Sequence, residues 1–295
     1  KLVHHTFFAF TQFFLVFFTS KKMRAHALVS LVFVILFAKL HHAYNVLAPT
    51  SAGINFINGR YAVDSARQFV EFDWSGVTLS THFTGNFFAL NITPATYAST
   101  IGWNEFAVFV NGTFTQVLKT NNVTRTYVAF DGRNDGVASI EIFKRTEALF
   151  GKVVIEHILL ADNGAVINAA KNLPSNSFNS CKFNLEIIGD SLTCAYGNLG
   201  NPPCPFTSAT EDYYMSYSSI AARELGACLH TECWSGRGVV RNYGDKNRTS
   251  AEPLPVYYPR AVANDPQSKW DFTQYQANVV LVNLGSTFHI VFEIN

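Results

Sequence analysis

The 295-residue chain has little charge and almost no imbalance of sign, since 22 Lys and Arg residues face 21 Asp and Glu for a formal net charge of +1. This balance gives no electrostatic reason to expect nucleic acid or an acidic partner. No Cys/His spacing resembles a zinc site, and no segment is repeated or of low complexity. With 48% hydrophobic residues, the composition is that of a globular protein, long enough for one large domain or two ordinary ones.

The N-terminal region is apolar but lacks a run of membrane-spanning length. Residues 7–18 and 27–38 are apolar, and each run is shorter than the ~20 residues that cross a bilayer. The second run follows the basic segment 21–24 and precedes the segment 39–43, which is the layout of a secretory signal peptide. We therefore expect residues 1–43 to be a signal peptide with an upstream segment, no stable membrane span, and a secreted protein. The alternative is an uncleaved membrane anchor.

Cysteine is scarce and confined to the second half of the chain, at Cys181, Cys194, Cys204, Cys228 and Cys233. An exported protein is expected to pair four of them and leave one free. Cys194 with Cys204 would brace the loop after Ser191, and Cys228 with Cys233 would form a second pair. The alternative is that several are small buried apolar residues. Four Asn-X-Ser/Thr sequons also agree with export, at Asn91, Asn111, Asn122 and Asn247.

Residues 44–170 predict an all-β domain, because short apolar or alternating runs recur between turn residues. These runs cover residues 68–72, 77–80, 87–92, 105–110 and 138–143. Such spacing is typical of a β-sandwich or jelly roll. The dipeptide Asn111-Gly112 between two runs predicts a tight hairpin, because both residue types adopt positive φ at little cost.

A polar segment at residues 171–184 predicts a domain linker, and the periodicity changes after it. Residues 185–188 have the pattern of a buried strand, and two further strands are expected at residues 229–234 and 277–284. Residues 212–225 fit a helix, whose expected apolar face holds Tyr213, Tyr217, Ile220, Ala221 and Leu225. Strands and a helix in this order predict an α/β domain with a parallel sheet.

A serine follows the first of these strands, in the stretch Gly189-Asp190-Ser191-Leu192. The carboxyl end of a parallel strand is where open α/β sheets place reactive groups. Glycine-containing turns follow the other two strands, at residues 234–238 and 283–286. Their backbone N–H groups can point at a developing oxyanion. Ser191 can act as a nucleophile only if a base lies within hydrogen-bond reach.

Taken together, these segments resemble the SGNH (GDSL-type) hydrolases, and within them the family-two carbohydrate esterases. The resemblance rests on residues 189–198, 222–227, 234–238 and 270–272, and in the first half on residues 59–60, 72–76 and 144–147. It covers roughly residues 55–285. It implies an N-terminal jelly-roll domain over residues 44–170. It also implies a flavodoxin-like three-layer SGNH domain over residues 185–295, incomplete at its C-terminal end.

The resemblance implies a secreted enzyme that removes acetyl groups from polysaccharides and works as a monomer without metal or organic cofactor. Ser191 would be the nucleophile. Its own N–H and that of Gly236 would form part of the oxyanion hole. Asp190 would be structural rather than catalytic.

Two departures from the family pattern predict an impaired enzyme. Thr287 stands where the family has an oxyanion-binding Asn, and losing one such donor typically costs ~10²–10³ in rate. The family's base histidine lies further downstream than this sequence extends. After residue 43 the chain has only His82, His157, His230 and His289. His289 is the one near the right segment, although its place in the motif is wrong. About three of the family's five sheet strands are encoded, so we expect a truncated gene product.

Two further hypotheses stay open. The first is a non-catalytic glycan-binding protein, in which the residues available to stack on sugars are Trp74, Trp103, Trp234 and Trp270. The second is a product that does not fold stably.

Overall fold

The computed structural model of the protein describes residues 44–94, 101–168 and 181–286. The predicted signal peptide, residues 171–180 of the predicted linker, Thr287 and His289 lie outside these residues. In the described part, no helix is long and apolar enough to cross a membrane.

The described chain is mostly β-structure. Twelve strands precede the predicted linker: β1 (Tyr44–Leu47), β2 (Ile54–Ile57), β3 (Ala62–Asp64), β4 (Phe69–Phe72), β5 (Thr78–Thr84), β6 (Phe87–Ile92), β7 (Glu105–Val110), β8 (Thr113–Lys119), β9 (Thr126–Asp131), β10 (Val137–Lys144), β11 (Val153–Ala161) and β12 (Val166–Ile167). The second half contains β13 (Phe183–Gly189), α1 (Ser191–Cys194), α2 (Tyr217–Leu225), β14 (Ala227–Cys233), α3 (Leu254–Tyr257) and β15 (Val279–Asn283). Short 3₁₀ helices cover Ala148–Phe150, Ser208–Thr210 and Tyr213–Met215.

The first twelve strands form two antiparallel sheets. One has the order β3-β4-β11-β6-β9 with β1 also paired to β11, and the other has the order β12-β5-β10-β7-β8 with β2 also paired to β5. Residues alternate along these strands between the two faces of each sheet. The inward-facing residues of both sheets, such as Phe72, Phe83 and Ile140, form one apolar core. The prediction of an all-β segment is confirmed in the described residues.

The hairpin at Asn111-Gly112 is present as predicted. Val110 at the end of β7 is the register partner of Thr113 at the start of β8. Asn111 and Gly112 have φ of 51° and 74°. Because both central residues have positive φ, the turn twists in the sense that two antiparallel strands require.

The last three strands form a parallel sheet in the order β14-β13-β15, as the sequence predicted. The central strand β13 has β14 and β15 as its neighbours, and most of its residues are apolar. Strand β13 begins at Phe183, two residues before the predicted start. Only these three strands of the sheet lie in the described residues.

The predicted helix is shorter than expected, and its predicted apolar face is wrong. Ser216 caps the helix by accepting a hydrogen bond from Ser219 N at 3.0 Å, so α2 begins at Tyr217 instead of Asp212. The preceding residues form a separate 3₁₀ turn. The face that packs inward carries Ser218, Ser219 and Ala222. The apolar residues Tyr217, Ile220 and Leu225 are exposed.

Both predicted disulfides are wrong, although pairing four cysteines and leaving one is correct. The structure pairs Cys181 with Cys228 and Cys194 with Cys233, and Cys204 is a free thiol. Cys228 and Cys233 lie on the same strand, β14. Five residues of extended chain separate them by about 16 Å, whereas a disulfide needs Cα atoms within about 7 Å.

The antiparallel and parallel parts are joined by buried polar contacts. Asp73, which follows β4, accepts hydrogen bonds from the backbone N of Ala263 and of Asn264, each at 2.7 Å. Arg60, which lies between β2 and β3, is fully buried and reaches Glu186 on β13 and Glu232 on β14. Buried side chains therefore hold the parallel sheet against the antiparallel part.

Candidate functional site

The three parallel strands end at one level, and this common end is the candidate site. In the strand register, Gly189 is the partner of both Cys233 and Asn283. The chain therefore leaves the sheet three times at the same edge. Ser191, Gly236 and Gly285 each follow one of these strand ends by two or three residues. We call this edge the rim.

Asp190 ties the first of these crossings to the third. Its Oδ1 accepts from Leu192 N at 3.2 Å and caps the short helix α1. Its Oδ2 accepts from Ser286 Oγ at 2.7 Å and from Ser286 N at 3.1 Å. The side chain is almost fully buried. These contacts hold the backbone next to Ser191 and tie it to the segment after β15. Asp190 thus makes structural contacts in this region.

Ser191 is the first residue of α1 and is half-buried. Its backbone carbonyl accepts a hydrogen bond from Tyr196 N at 2.9 Å. Within the described ranges, no side chain is hydrogen-bonded to its Oγ. A serine hydroxyl in this setting is open to a substrate but needs a base to become a nucleophile.

Gly236 lies in the turn after β14 with a φ of 81°. This left-handed conformation favours glycine, because other residues meet a steric penalty from Cβ. Its carbonyl accepts from Tyr243 N at 2.8 Å, which holds the orientation of the peptide that follows it. The Gly236 N–H has no acceptor in the part of the chain that the structure describes.

A residue of the antiparallel part holds the turn that carries Gly236. The Oε2 atom of Glu147 accepts from Ser235 N at 2.6 Å, and its Oε1 accepts from Ser235 Oγ. Glu147 is itself held by Glu211, whose Oε1 accepts from Glu147 N at 2.7 Å. Lys144 Nζ donates to the Glu147 carbonyl at 3.2 Å. Glu147, Glu211 and Lys144 are all buried. The rim is therefore built from both halves of the chain.

Burial shifts the pKa of each group in this cluster. Desolvation raises the pKa of Glu147. Desolvation, together with the nearby charge of Glu147, raises the pKa of Glu211 well above its usual value. Desolvation also lowers the pKa of Lys144 to about 8, although the nearby carboxylates oppose this. Two carboxyls so close in a dry site favour one shared proton, so we assign the carboxylate to Glu147, which accepts from Ser235, and the proton to Glu211.

Replacing Glu147 by Gln is expected to lower the free energy of unfolding, because it weakens a buried contact that holds the rim. The amide keeps the size of the side chain but turns one acceptor oxygen into an NH₂ group that faces a donor of Ser235. Leaving a buried donor without its acceptor costs ~1–3 kcal/mol. Urea unfolding measures this loss. The matched control is Glu71→Gln, which alters a partly exposed carboxylate paired with Lys152. Equal stability losses in the two variants would contradict a special role for Glu147.

The described histidines do not supply a base at the rim. His157, on β11, packs edge-on against Phe69 with ring centroids 5.9 Å apart. His230, on β14, is stacked on Tyr275 at 3.6 Å, and burial lowers its pKa to about 3. His230 is therefore a packed ring. His82 lies on β5, away from the rim strands.

The tryptophans considered as sugar platforms are mostly part of the core. Trp74, Trp234 and Trp270 are buried, and Trp103 is half-buried. Trp74 also donates from Nε1 to the Arg260 carbonyl at 3.3 Å. The three buried rings therefore stabilise the fold and present no open face for stacking.

Comparison with known proteins places the chain in a defined class. Residues 57–169 match the family description "Carbohydrate esterase 2 N-terminal". The cellulase/esterase CelE of Acetivibrio thermocellus is 33% identical over 216 residues, which are 72% of this chain and 24% of CelE. An acetylxylan esterase/glucomannan deacetylase of Cellvibrio japonicus is 26% identical over 216 residues, which are 73% of this chain and 56% of that enzyme. The chain thus spans about a quarter of the length of CelE and about half of the length of the Cellvibrio japonicus enzyme.

A solved structure gives the same result. A family two carbohydrate esterase from Clostridium thermocellum, in complex with cellohexaose, is 30% identical with a TM-score of 0.66. The match covers 82% of this chain and 66% of that chain. The relatives are carbohydrate esterases, and the chain belongs to family two of that class. The resemblance found in the sequence is confirmed.

Proposed function

We propose that this chain is a secreted serine esterase that removes acetyl groups from a polysaccharide. The observation that carries the proposal is the parallel register in which Gly189 pairs with both Cys233 and Asn283. This register brings a serine and two glycine turns to one edge of the sheet, as acyl transfer requires. The names of the relatives support an acetylated polysaccharide as the substrate.

In the proposed reaction, Ser191 Oγ attacks the carbonyl carbon of the acetyl ester and passes its proton to a general base. The C–O bond to the sugar breaks, and the sugar oxygen takes up the proton. Water then attacks the acetyl-serine, which releases acetate and restores Ser191. The N–H groups of Ser191 and Gly236 stabilise the oxyanion in both steps. No described histidine is hydrogen-bonded to Ser191, so we assign the base to a residue outside the described part of the chain.

We further propose the two-domain layout of the family: a jelly-roll domain over residues 44–170, a linker over residues 171–184 and an SGNH hydrolase domain from residue 185. The two antiparallel sheets and the parallel sheet support this division. The two disulfides support an extracellular protein, because disulfides persist in oxidising compartments.

Esterase activity should depend on Ser191 and be limited by Thr287. In a coupled acetate assay with acetylated xylan, we expect slow release by the chain and background release by Ser191→Ala. Thr287→Asn should raise the rate by ~10²-fold or more, because it restores a side-chain amide donor at the family's oxyanion position. The matched control is Ser65→Ala, an exposed serine away from the rim. Unchanged acetate release by Ser191→Ala would refute the assignment of the nucleophile.

A second candidate function is non-catalytic glycan binding. It is favoured by Thr287 and by the lack of a histidine partner for Ser191 in the described residues. If neither the chain nor Thr287→Asn releases acetate while both bind insoluble acetylated xylan, this second function replaces the first.

A further inference from the structure

A cavity of about 520 Å³ lies between the outer face of the second antiparallel sheet and helix α2. Strands β5, β7 and β10 line one side, and α2 with the start of β14 lines the other. Ala227, at the start of β14, borders the cavity and precedes the strand end at Cys233 by six residues. Six residues of strand span about 20 Å, so the cavity lies near the end of the parallel strands opposite the rim.

Glu141 supplies an unpaired acceptor to this cavity. Its neighbours in the sheet register are Ser80 on β5 and Phe109 on β7, so no opposite charge flanks it. Among the described residues its carboxylate makes no hydrogen bond and no ion pair. Burial alone raises its pKa, to about 7. A largely desolvated carboxyl without a partner is costly, and a ligand that donates hydrogen bonds would remove that cost.

The opposite wall supplies donors and an aromatic surface. The Arg223 guanidinium lies 3.8 Å above the ring of Tyr214 and donates from Nη1 to Ser219 Oγ at 2.7 Å, with further N–H groups available. The Tyr214 ring packs against Phe109 at 4.8 Å and against Phe143 at 5.2 Å. The cavity therefore combines a cluster of aromatic rings in tilted and edge-on contact with an acceptor on one wall and a donor on the other.

This combination selects the charge class of the ligand. A cation would be attracted by Glu141 but repelled by Arg223, and an anion would meet the reverse situation. A neutral, hydroxylated ring satisfies both, because each hydroxyl both donates and accepts. Its C–H groups would lie against the aromatic rings. A volume of about 520 Å³ lies in the range of small-molecule sites, ~300–1,000 Å³.

We propose that this cavity binds a neutral mono- or disaccharide unit, with Glu141 as the acceptor and Arg223 as the donor. The site would hold a glycan on a face of the molecule separate from Ser191. This inference goes beyond the proposed esterase function and does not require Ser191 to react.

Calorimetric titration of the full chain with cellobiose and with xylobiose tests the proposal. We expect at least one disaccharide to bind, and Glu141→Ala to weaken binding ~tenfold or more, which is the loss expected for one hydrogen bond to a charged group. Glu141→Gln keeps the size of the side chain and should weaken binding as well. The matched control is Glu224→Gln, which removes the same charge from the exposed side of α2 and should bind like the unaltered chain. Circular dichroism establishes that each variant is folded.

Ser191→Ala separates this proposal from the esterase function. It should bind the disaccharide as the unaltered chain does while acetate release falls to background. Absence of binding to both disaccharides, or binding that Glu141→Ala leaves unchanged, would overturn the cavity assignment. Binding that is lost in Ser191→Ala but kept in Glu141→Ala would place the saccharide at the rim and overturn it too.

Discussion

Replacing Arg60 by alanine is expected to lower the free energy of unfolding by about 3–5 kcal/mol, because it leaves buried carboxyls without their cation. Arg60 Nη2 lies 2.8 Å from Glu186 Oε1, and its Nε lies 2.9 Å from Glu232 Oε1. Its Nη1 also donates to the Tyr258 carbonyl, and the guanidinium stacks on the Tyr258 ring with its Cζ 4.6 Å from the centroid. The variant loses all of these contacts at once.

The penalty for Arg60→Ala should grow with pH. Burial raises the pKa of Glu232 from 4.5 to about 8, and the Arg60 charge works against this rise. Between these values the folded state keeps a proton that the unfolded state has lost, so the stability contributed by this group falls as pH rises. Without Arg60 the folded pKa moves higher, and the loss continues above pH 8. The stability difference between the two proteins should therefore be larger at pH 9 than at pH 6.

Urea unfolding at the two pH values measures both effects. The control is Arg133→Ala, which removes an exposed ion pair with Asp135 and should change stability little at either pH. A stability loss for Arg60→Ala no larger than that of the control would show that the buried ion pairs do not stabilise the junction between the two halves. A loss that shrinks with rising pH would contradict the assignment of Glu232 as the titrating group.

Removing the disulfide between Cys194 and Cys233 is expected to cost about 4 kcal/mol. The bond closes a loop of 39 residues in sequence, and the chain-entropy estimate for a loop of that length gives this value. The bond also joins α1, which begins at Ser191, to the end of β14. The double variant Cys194→Ala/Cys233→Ala should therefore unfold at much lower urea.

The free thiol provides the control for this experiment. Cys204→Ala changes a cysteine near the same region without breaking a covalent link. It should unfold close to the unaltered protein. Alkylation before reduction, followed by mass spectrometry, should find one reactive thiol in the unaltered protein and none in Cys204→Ala. If the double variant is as stable as Cys204→Ala, the bond does not restrict the unfolded chain in the way that its loop length predicts.

The parts of the fold that the sequence predicted are those governed by local chemistry. Alternating apolar residues predicted strands such as 87–92 and 105–110, and both are found with the expected bounds. The Asn111-Gly112 turn was predictable because its backbone conformation needs residues that tolerate positive φ. The parallel arrangement of the last strands followed from the order of strands and helix in the chain.

The parts that the sequence did not predict depend on partners far along the chain. Helix α2 buries Ser218, Ser219 and Ala222 instead of its larger apolar residues, and the pattern of hydrophobicity contains no sign of this choice. The contact between Glu147 and Ser235 joins residues 88 positions apart and has no local signature. The disulfide pairing could not be predicted from the sequence either, because the register of the parallel strands decides which cysteines lie close together.

The contact of Glu147 with Ser235 has a consequence for how this protein can be divided. A fragment starting at residue 181 would present Ser235 without its acceptor, and Glu186 and Glu232 without Arg60. The first half therefore supplies contacts that hold the turn at Ser235 and the strands of the parallel sheet in place. A graft of the loops around Ser191 onto another scaffold would need to carry Glu147 and Arg60 with them. An exchange of the first half with that of a relative would need to keep both residues.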